Sequence, residues 1–161
     1  MNSNHRTSSS PPLALSQEPP GNLPRFFPMM RELVQAYQVF SSYSDTHIRQ
    51  LGLTPSQFDV IVTLSTTNGL SMRDLADQTL VTKGTLTGIV DRLEAKNLVR
   101  RDVPLGNRRS FTVTLTPEGK ALFEQLFPQH LNYLKERFDR LETTELELLK
   151  VLLRKLRSVF E

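Results

Sequence analysis

Residues that could contact a nucleic acid are concentrated between positions 83 and 109 of this chain. The segment contains seven basic and three acidic side chains, so it contributes +4 to a formal net charge of +3. A positive excess confined to one segment is typical of a surface that binds phosphate groups, rather than of a uniformly basic protein. The basic residues are Lys83, Arg92, Lys96, Arg100, Arg101, Arg108 and Arg109.

A helix predicted from about Thr82 to Lys96 carries two glycines on one face. Its apolar residues recur at helical spacing and predict a buried stripe on the opposite face: Leu86, Ile89, Val90 and Leu93. Gly84 and Gly88 each cost about 1 kcal/mol relative to alanine. Either this is an exposed or neighbour-packed helix of poor propensity, or another molecule approaches its backbone closely. We favour a helix that lies in a DNA major groove, where side chains reach phosphates and base edges: Lys83, Thr85 and Thr87.

A shorter helix pattern precedes this helix, and strand patterns follow it. Ser71 is positioned to cap the shorter helix, and Asp74 adds a favourable negative charge to its first turn. After Asn97 the pattern alternates, and one face of the second predicted strand contains Phe111, Val113 and Leu115. Gly106 and Asn107 mark the turn between the strands. We therefore predict a mainly α fold with a small β-hairpin wing, the winged helix-turn-helix arrangement.

Helix-start signals divide the rest of the chain. Thr54-Pro55-Ser56-Gln57 and Thr116-Pro117 predict capped helix starts, and Thr144 to Glu147 predicts a capping box for the last helix. Pro128 falls inside a long apolar pattern and is expected to kink the helix or to unwind it locally. These long helices have more apolar surface than one small lobe can cover, so we expect them to intertwine with a second copy.

From about Phe26 to its C-terminus the chain resembles the multiple antibiotic resistance regulator (MarR) family. The resemblance is carried by the runs TLTGIVDRLEAKNLVRR and NRRSFTVTLTPEGK. It implies a homodimer of winged helix-turn-helix lobes that binds double-stranded DNA at pseudo-palindromic operators. It also implies a transcription regulator, often a repressor, that a small molecule releases from its operator.

The resemblance assigns roles to individual positions. Base contacts are expected from the Lys83 to Thr87 segment, and minor-groove contact from Arg109 at the wing tip. Phosphate contacts are expected from Ser71, Arg73, Arg101 and Arg108. Arg92 either binds phosphate or pairs with a neighbouring carboxylate. The family's wing usually carries Asp-x-Arg, and Asn107 replaces the aspartate here, so the charge pair that orients the wing arginine is missing or weaker.

An effector pocket is implied between the dimerisation helices and the winged lobe. Its candidate lining residues are Tyr37, Tyr43, His47, Arg49 and Phe58, although packing of an aromatic core explains most of them equally well. The chain has no cysteine, which excludes disulfides and thiolate metal sites. We expect His5, His47 and His130 to be ordinary surface or interface histidines, and we predict neither a metal nor a cofactor.

These patterns predict a tail at residues 1–23, disordered because it is rich in Ser, Asn and Pro, and one domain at residues 24–161. Within the domain we expect dimerisation helices at 24–53 and 117–161 and a DNA-binding lobe at 54–116, with the helix-turn-helix at about 71–96 and the wing at about 98–116. No apolar run approaches the length of a transmembrane helix and no signal peptide follows the first residues, so a cytoplasmic location is expected.

Two other functions are compatible with parts of the sequence. A winged helix can serve as a protein-interaction module without specific DNA binding, with its basic hairpin facing an acidic partner. An enzyme is less well supported, because the sequence offers no cysteine nucleophile, no phosphate-binding glycine loop and no pair of histidines at metal-binding spacing. We predict a DNA-binding regulator without enzymatic activity.

Overall fold

The computed structural model describes residues 23–102 and 111–161. Residues 1–22 of the predicted tail (1–23) and the turn of the wing, with Asn107, Arg108 and Arg109, lie outside these ranges. The described elements follow in the order α1 (Phe27–Gln50), α2 (Pro55–Ser65), β1 (Leu70–Ser71), α3 (Met72–Gln78), α4 (Lys83–Ala95), β2 (Val99–Asp102), β3 (Thr112–Leu115), α5 (Pro117–Phe138) and α6 (Thr143–Ser158).

The hydrophobic core lies among α2, α3, α4 and the sheet. The apolar stripe predicted for α4 is buried as expected, and Leu75 of α3 is also fully enclosed. From α2 the core receives Phe58, Val60, Ile61 and Leu64, and from the strands Val99, Val113 and Leu115. Burial of this shared core fixes the three helices against the strands, since removing apolar side chains from water is the main force that holds them together.

Three predicted helix starts are confirmed. The Thr54 side chain accepts a hydrogen bond from the Gln57 amide while the Gln57 side chain accepts one from the Thr54 amide, which completes a capping box. Ser71 caps α3 by accepting from the Asp74 amide, and Thr116 caps α5 by accepting from the Gly119 amide. These predictions succeed because each depends on residues three positions apart.

Two predictions about the C-terminal helices need correction. The last helix begins at Thr143, and the Glu142 amide donates to Glu145 Oε2 at 2.7 Å, so the capping box lies two residues before the predicted one. The helix α5 runs on through Pro128, so of the two effects expected there, a kink or local unwinding, the unwinding does not occur. Proline removes one amide donor only, and the hydrogen bonds of the neighbouring turns can hold the helix together.

The sheet has one more strand than the sequence predicted. Its order is β1-β3-β2 with both pairings antiparallel, and β1 consists of two residues. The register pairs Leu70 with Val113 in one ladder and Val99 with Leu115 in the other. A two-residue strand gives no alternation that a sequence pattern could reveal, whereas the inward Val113 and Leu115 were predicted correctly.

The chain separates into two units, Met1–Tyr37 and Gln38–Glu161. The described part of the first unit exposes seven large apolar side chains: Leu23, Phe26, Met29, Met30, Leu33, Val34 and Tyr37. In the second unit α6 has no buried residue, and the chain from α6 onward exposes Leu148, Leu149, Val151, Leu152, Leu153, Val159 and Phe160. None of the helices in the described ranges has the length and apolar character that crossing a membrane requires.

Candidate nucleic-acid interface

The helices α3 and α4 are joined by a turn that is anchored to α2. The Thr79 hydroxyl donates to the Leu75 carbonyl at 2.7 Å, and the Leu80 amide donates to Asp59 Oδ2 at 2.8 Å. Burial raises the pKa of Asp59, while the hydrogen bond from the Leu80 amide acts in the opposite direction. The carboxylate therefore fixes the turn, and with it the direction in which α4 leaves the core.

The outer face of α4 is open at both glycines. Apart from its own helix backbone, a Cβ atom added to Gly84 would meet no atom of residues 23–102 or 111–161 within 4 Å, and one added to Gly88 would meet only Arg92 Nη1, at 3.8 Å. The side chains of Lys83, Thr85 and Thr87 are exposed on this helix. Another molecule can therefore approach the backbone of α4 closely, as the glycines had suggested.

Two cations beside this face share one acidic partner. Lys83 Nζ lies 3.6 Å from Asp77 Oδ1, and Arg73 Nε lies 4.0 Å from Asp77 Oδ2. The side chains of Lys83 and Arg73 are 69% and 84% exposed, so these ion pairs contribute little to stability. Both cations are consequently available to a phosphate group. Ser71, the third residue expected at a phosphate, caps α3 and donates its hydroxyl hydrogen to Asp74 Oδ2 at 2.7 Å.

Arg101, which the sequence analysis placed at a phosphate, is engaged within the protein. Its guanidinium donates to the carboxylates of Asp91 and Glu94 on α4 and lies 5.4 Å from the centre of the Phe111 ring. The hydrogen bond to Asp91 is the main cause that raises the pKa of Arg101, and the side chain is only 23% exposed. Arg101 therefore joins the first wing strand to the predicted recognition helix.

The base of the wing carries a second ion pair. Arg100 Nε donates to Asp102 Oδ2 at 3.0 Å, and the Thr114 hydroxyl donates to the same oxygen at 2.7 Å. The Thr114 hydrogen bond and then the Arg100 guanidinium lower the pKa of Asp102. Asp102 stands directly after the basic pair that begins the wing, and no motif in the sequence marked it as a partner of Arg100.

The sequence left two roles open for Arg92: a contact with a phosphate or an ion pair with a neighbouring carboxylate. It forms no ion pair with any carboxylate in residues 23–102 or 111–161. Its guanidinium instead reaches back toward Gly88 on the open face of α4. The neighbouring carboxylates that could have held it, Asp91 and Glu94, are occupied by Arg101.

Three of the five candidate effector-binding residues come together between α1, α2 and α5. The His47 ring stacks on Tyr133 with centroids 4.1 Å apart, and Tyr43 stacks on the same ring at 4.4 Å. Phe58 meets His130 edge to face at 5.0 Å. Arg49 lies elsewhere, paired with Asp45 at 3.5 Å, and Tyr37 belongs to the other unit.

His130 and Tyr133 complete this aromatic cluster, and sequence analysis placed neither of them in a pocket. They stand three residues apart on α5 and therefore share a helix face, which was the available signal. His130 is 4% exposed, so of the two expected locations, the surface or a subunit interface, the surface is excluded. Its Nε2 lies 3.2 Å from Ser44 Oγ and its Nδ1 lies 3.0 Å from His47 Nδ1, while burial and His47 lower its pKa.

Within the described ranges no three His, Cys, Asp or Glu side chains form a group that could hold a metal ion.

The helices α2 to α4, followed by the paired strands β2 and β3, define a winged helix-turn-helix protein. A family model described as the MarR family matches residues 51–110. The HTH-type transcriptional regulator FarR of Neisseria gonorrhoeae is 32% identical over 110 residues, which are 68% of this chain and 73% of FarR. The chain belongs to the MarR family of transcriptional regulators.

Solved structures of family members have the same fold. BpsR of Bordetella bronchiseptica, whose DNA binding is regulated by 6-hydroxynicotinic acid, matches with a TM-score of 0.72 and 30% identity over 81% of this chain and 98% of its own. Sco3205 of Streptomyces coelicolor, solved in complex with DNA, matches with a TM-score of 0.73 and 25% identity over 83% of this chain and 89% of its own. These similarities confirm the predicted fold class.

Proposed function

We propose that this protein is a homodimeric transcription regulator that binds double-stranded DNA at pseudo-palindromic operators, in the cytoplasm and without enzymatic activity. The observation that carries the proposal is the open outer face of α4, where a Cβ added to Gly84 would meet no atom of the described residues within 4 Å, its own helix backbone aside. Such a face lets the helix lie deep in the major groove, where base edges can be distinguished. The DNA complex of Sco3205 supports the same use of this fold.

The residues of α4, of α3 and of the wing have separate proposed roles at the DNA. Lys83, Thr85 and Thr87 contact base edges and nearby phosphates, and Gly84 and Gly88 admit the DNA backbone or bases. Phosphate contacts come from Ser71, Arg73, Arg92 and Arg108. Arg109 enters the minor groove from the wing tip, and Arg101 holds the wing against α4 through its ion pairs with Asp91 and Glu94.

The dimer is proposed to form through the helices at residues 24–53 and 117–161, which leaves 54–116 as the DNA-binding lobe. Its support is the apolar surface that the single chain leaves exposed along α6, including Leu149 and Leu152. A soluble chain seldom exposes an apolar patch of this kind unless a partner covers it. A symmetric dimer presents two recognition helices about 34 Å apart, one turn of DNA.

A small effector is proposed to bind at the aromatic cluster and to release a repressor from its operator. Tyr43, His47 and Phe58, with His130, offer flat rings and ring nitrogens suited to an aromatic molecule. BpsR, regulated by 6-hydroxynicotinic acid, supports this class of ligand. Arg49 is paired with Asp45 outside this cluster, and Tyr37 belongs to the other unit of the chain.

DNA selection from a random duplex pool tests this function. We expect enrichment of a two-fold symmetric site with half-sites about one turn apart. We also expect an affinity that falls steeply with salt, because the lysine and arginine side chains of the protein displace counterions from the DNA phosphates. A protein-interaction module would enrich no sequence and would bind duplex DNA weakly or not at all. Enrichment of an asymmetric single half-site would contradict the dimer alone.

A further inference from the structure

The two adjacent arginines of β2 face opposite sides of the sheet. Side chains alternate along a strand, so Arg101 points to α4, where Asp91 and Glu94 hold it, and Arg100 points to the outer face of the sheet. The side chain of Arg100 is 60% exposed, against 23% for Arg101. Sequence analysis placed Arg101 at a DNA phosphate, whereas the alternation of the strand leaves Arg100 as the arginine whose charge faces outward.

The outer face of the sheet joins β2 to the N-terminus of α3. The register pairs Asp102 with Thr112 and Thr112 with Ser71, so these three residues form one row across the three strands. The row lies on the face opposite the buried Val113, at the end of the sheet next to the wing turn. Because neighbouring strands are about 4.8 Å apart, the backbone of Asp102 lies about 10 Å from that of Ser71. A cation held at Asp102 is therefore close to the phosphate contacts proposed for the start of α3.

The side chain of Arg100 reaches toward this row along its own strand. Its Nε donates to Asp102 Oδ2 at 3.0 Å, two residues nearer to the wing turn. Neither of its Nη groups donates to an acceptor within residues 23–102 or 111–161. The ion pair thus uses one N–H group and leaves the terminal N–H groups of the guanidinium open. Those groups form a planar fork that matches two oxygens of a phosphate.

Asp102 is itself held in place by the neighbouring strand. The Thr114 hydroxyl donates to the same Oδ2 at 2.7 Å. The Thr114 methyl group lies on the other side, toward β1, where a Cβ added to Gly69 would come within 2.6 Å of it. Glycine at position 69 leaves room for this methyl group, and the hydroxyl therefore faces Asp102. One carboxylate oxygen is in this way fixed between Thr114 and Arg100.

We propose that Arg100 is a further DNA contact, which binds a backbone phosphate through its Nη groups, and that Asp102 is the residue that positions it. The inference rests on the proposed function, since it adds a contact to the same interface. A carboxylate beside DNA repels the phosphates. Asp102 offsets this repulsion by holding Arg100 in one conformation, because a side chain that is already ordered loses less entropy when it binds.

The phosphate contact is tested by fluorescence anisotropy at several salt concentrations. The full chain is titrated with its selected operator and with a scrambled duplex of the same length. Arg100→Gln should weaken binding to both duplexes by about tenfold, because a phosphate contact carries no sequence information. The slope of log affinity against log salt should become shallower by about two, one phosphate for each subunit of a dimer. Lys120→Gln, which removes an exposed cation near the start of α5, is the control and should leave the slope unchanged.

Asp102→Ala tests the positioning role, because the two possible roles of the carboxylate predict opposite signs. Removal of a negative charge beside DNA strengthens binding if Asp102 acts only through its charge. Loss of the group that orders Arg100 weakens binding, and we expect a loss of about threefold. In the Arg100→Gln background the same substitution should cause no loss, since the side chain that it positions is gone. Glu118→Ala, at an exposed carboxylate of α5, is the matched control and should not weaken binding.

Urea unfolding checks that each variant is folded under the conditions of the titrations. Thr114→Val removes only the hydroxyl that holds Asp102, and it should weaken binding in the same direction as Asp102→Ala. An Arg100→Gln protein with the affinity and salt slope of the wild type would overturn the phosphate contact, and a loss confined to the operator would show that Arg100 reads bases instead. Stronger binding by Asp102→Ala would overturn the positioning role. A wild-type chain that binds neither duplex would refute the proposed function together with this inference, whereas unchanged binding by Arg100→Gln refutes the inference alone.

Discussion

His47 and His130 hold their Nδ1 atoms 3.0 Å apart, which joins α1 to α5 through two imidazole rings that stack at 5.3 Å. One of the two nitrogens must donate and the other accept, so the pair needs at least one neutral ring. The Nε2 of His130 lies 3.2 Å from the buried Ser44 hydroxyl. At least one neutral imidazole is therefore part of the folded core, and burial favours the neutral form of His130.

This pair makes the stability of the protein depend on pH. Burial and His47 lower the pKa of His130 from its usual value near 6.5, so the unfolded chain binds a proton more readily than the folded one. The free energy of unfolding should accordingly be greatest above pH 6.5 and should fall as the pH drops through that value toward the lowered one. Urea unfolding between pH 7.5 and 5.5 measures the effect.

His130→Gln is the matched variant for this prediction, because glutamine can bond to Ser44 without titrating. It should unfold more easily at pH 7.5 and lose less stability on acidification than the wild type. The same loss in both proteins would show that other groups cause the pH dependence.

Arg101 is predicted to stabilise the wing through its carboxylate partners on α4. Arg101→Met keeps much of the contact with Phe111 but removes the charge, and we expect a loss of about 1 kcal/mol in unfolding free energy. In a double-mutant cycle with Glu94→Gln, the two losses should be less than additive. Additive losses would mean that Arg101 and Glu94 stabilise the protein independently, despite their contact.

Asp59 is predicted to fix the turn of the helix-turn-helix. Asp59→Leu removes the acceptor for the Leu80 amide, and we expect a loss of about 1 to 2 kcal/mol in unfolding free energy. Asp59→Asn retains a side-chain oxygen and should lose clearly less. Chemical denaturation of both variants decides the point, and equal losses would indicate that the charge of Asp59, rather than its hydrogen bond, stabilises the fold.

The exposed apolar face of α6 is predicted to form the dimer. Leu149→Glu and Leu152→Glu each place a charge where a partner helix would pack, so both variants should shift toward monomer in light scattering after size-exclusion chromatography. Glu147→Lys, on the same helix at a polar exposed position, is the control and should remain a dimer. A wild-type chain that is already monomeric would contradict the interface.

The parts of the fold that the sequence predicted are those in which neighbours along the chain decide the structure. The buried stripe of α4 follows from helical spacing, and the caps at Thr54, Ser71 and Thr116 follow from residues three positions apart. Gly52 follows α1 in the left-handed conformation, with a φ of +83°, as a glycine directly after a helix C-terminus commonly does. In each case the cause lies within one or two helical turns of the residue concerned.

Local sequence patterns could not predict contacts between residues that are far apart in the sequence. His47 and His130 are 83 residues apart, and only the packing of α5 against α2 and α1 brings them together. The competition between Arg92 and Arg101 for Asp91 and Glu94 depends on the path of β2 beside α4, which charge counting cannot resolve. Which of the basic residues are free to bind phosphate is a property of the fold, and a count of charges along the chain cannot supply it.

Gly88→Leu tests most directly whether the open face of α4 receives DNA, through two quantities measured on one variant. A Cβ at position 88 meets only Arg92 Nη1, at ordinary contact distance, and leucine favours helix over glycine by about 1 kcal/mol. We therefore predict unfolding free energy equal to or above that of the wild type. We also predict at least about a tenfold loss of affinity for the selected operator in fluorescence anisotropy, because the leucine side chain keeps α4 from lying deep in the major groove. A variant that folds as stably as the wild type and binds the operator with unchanged affinity would contradict the claim.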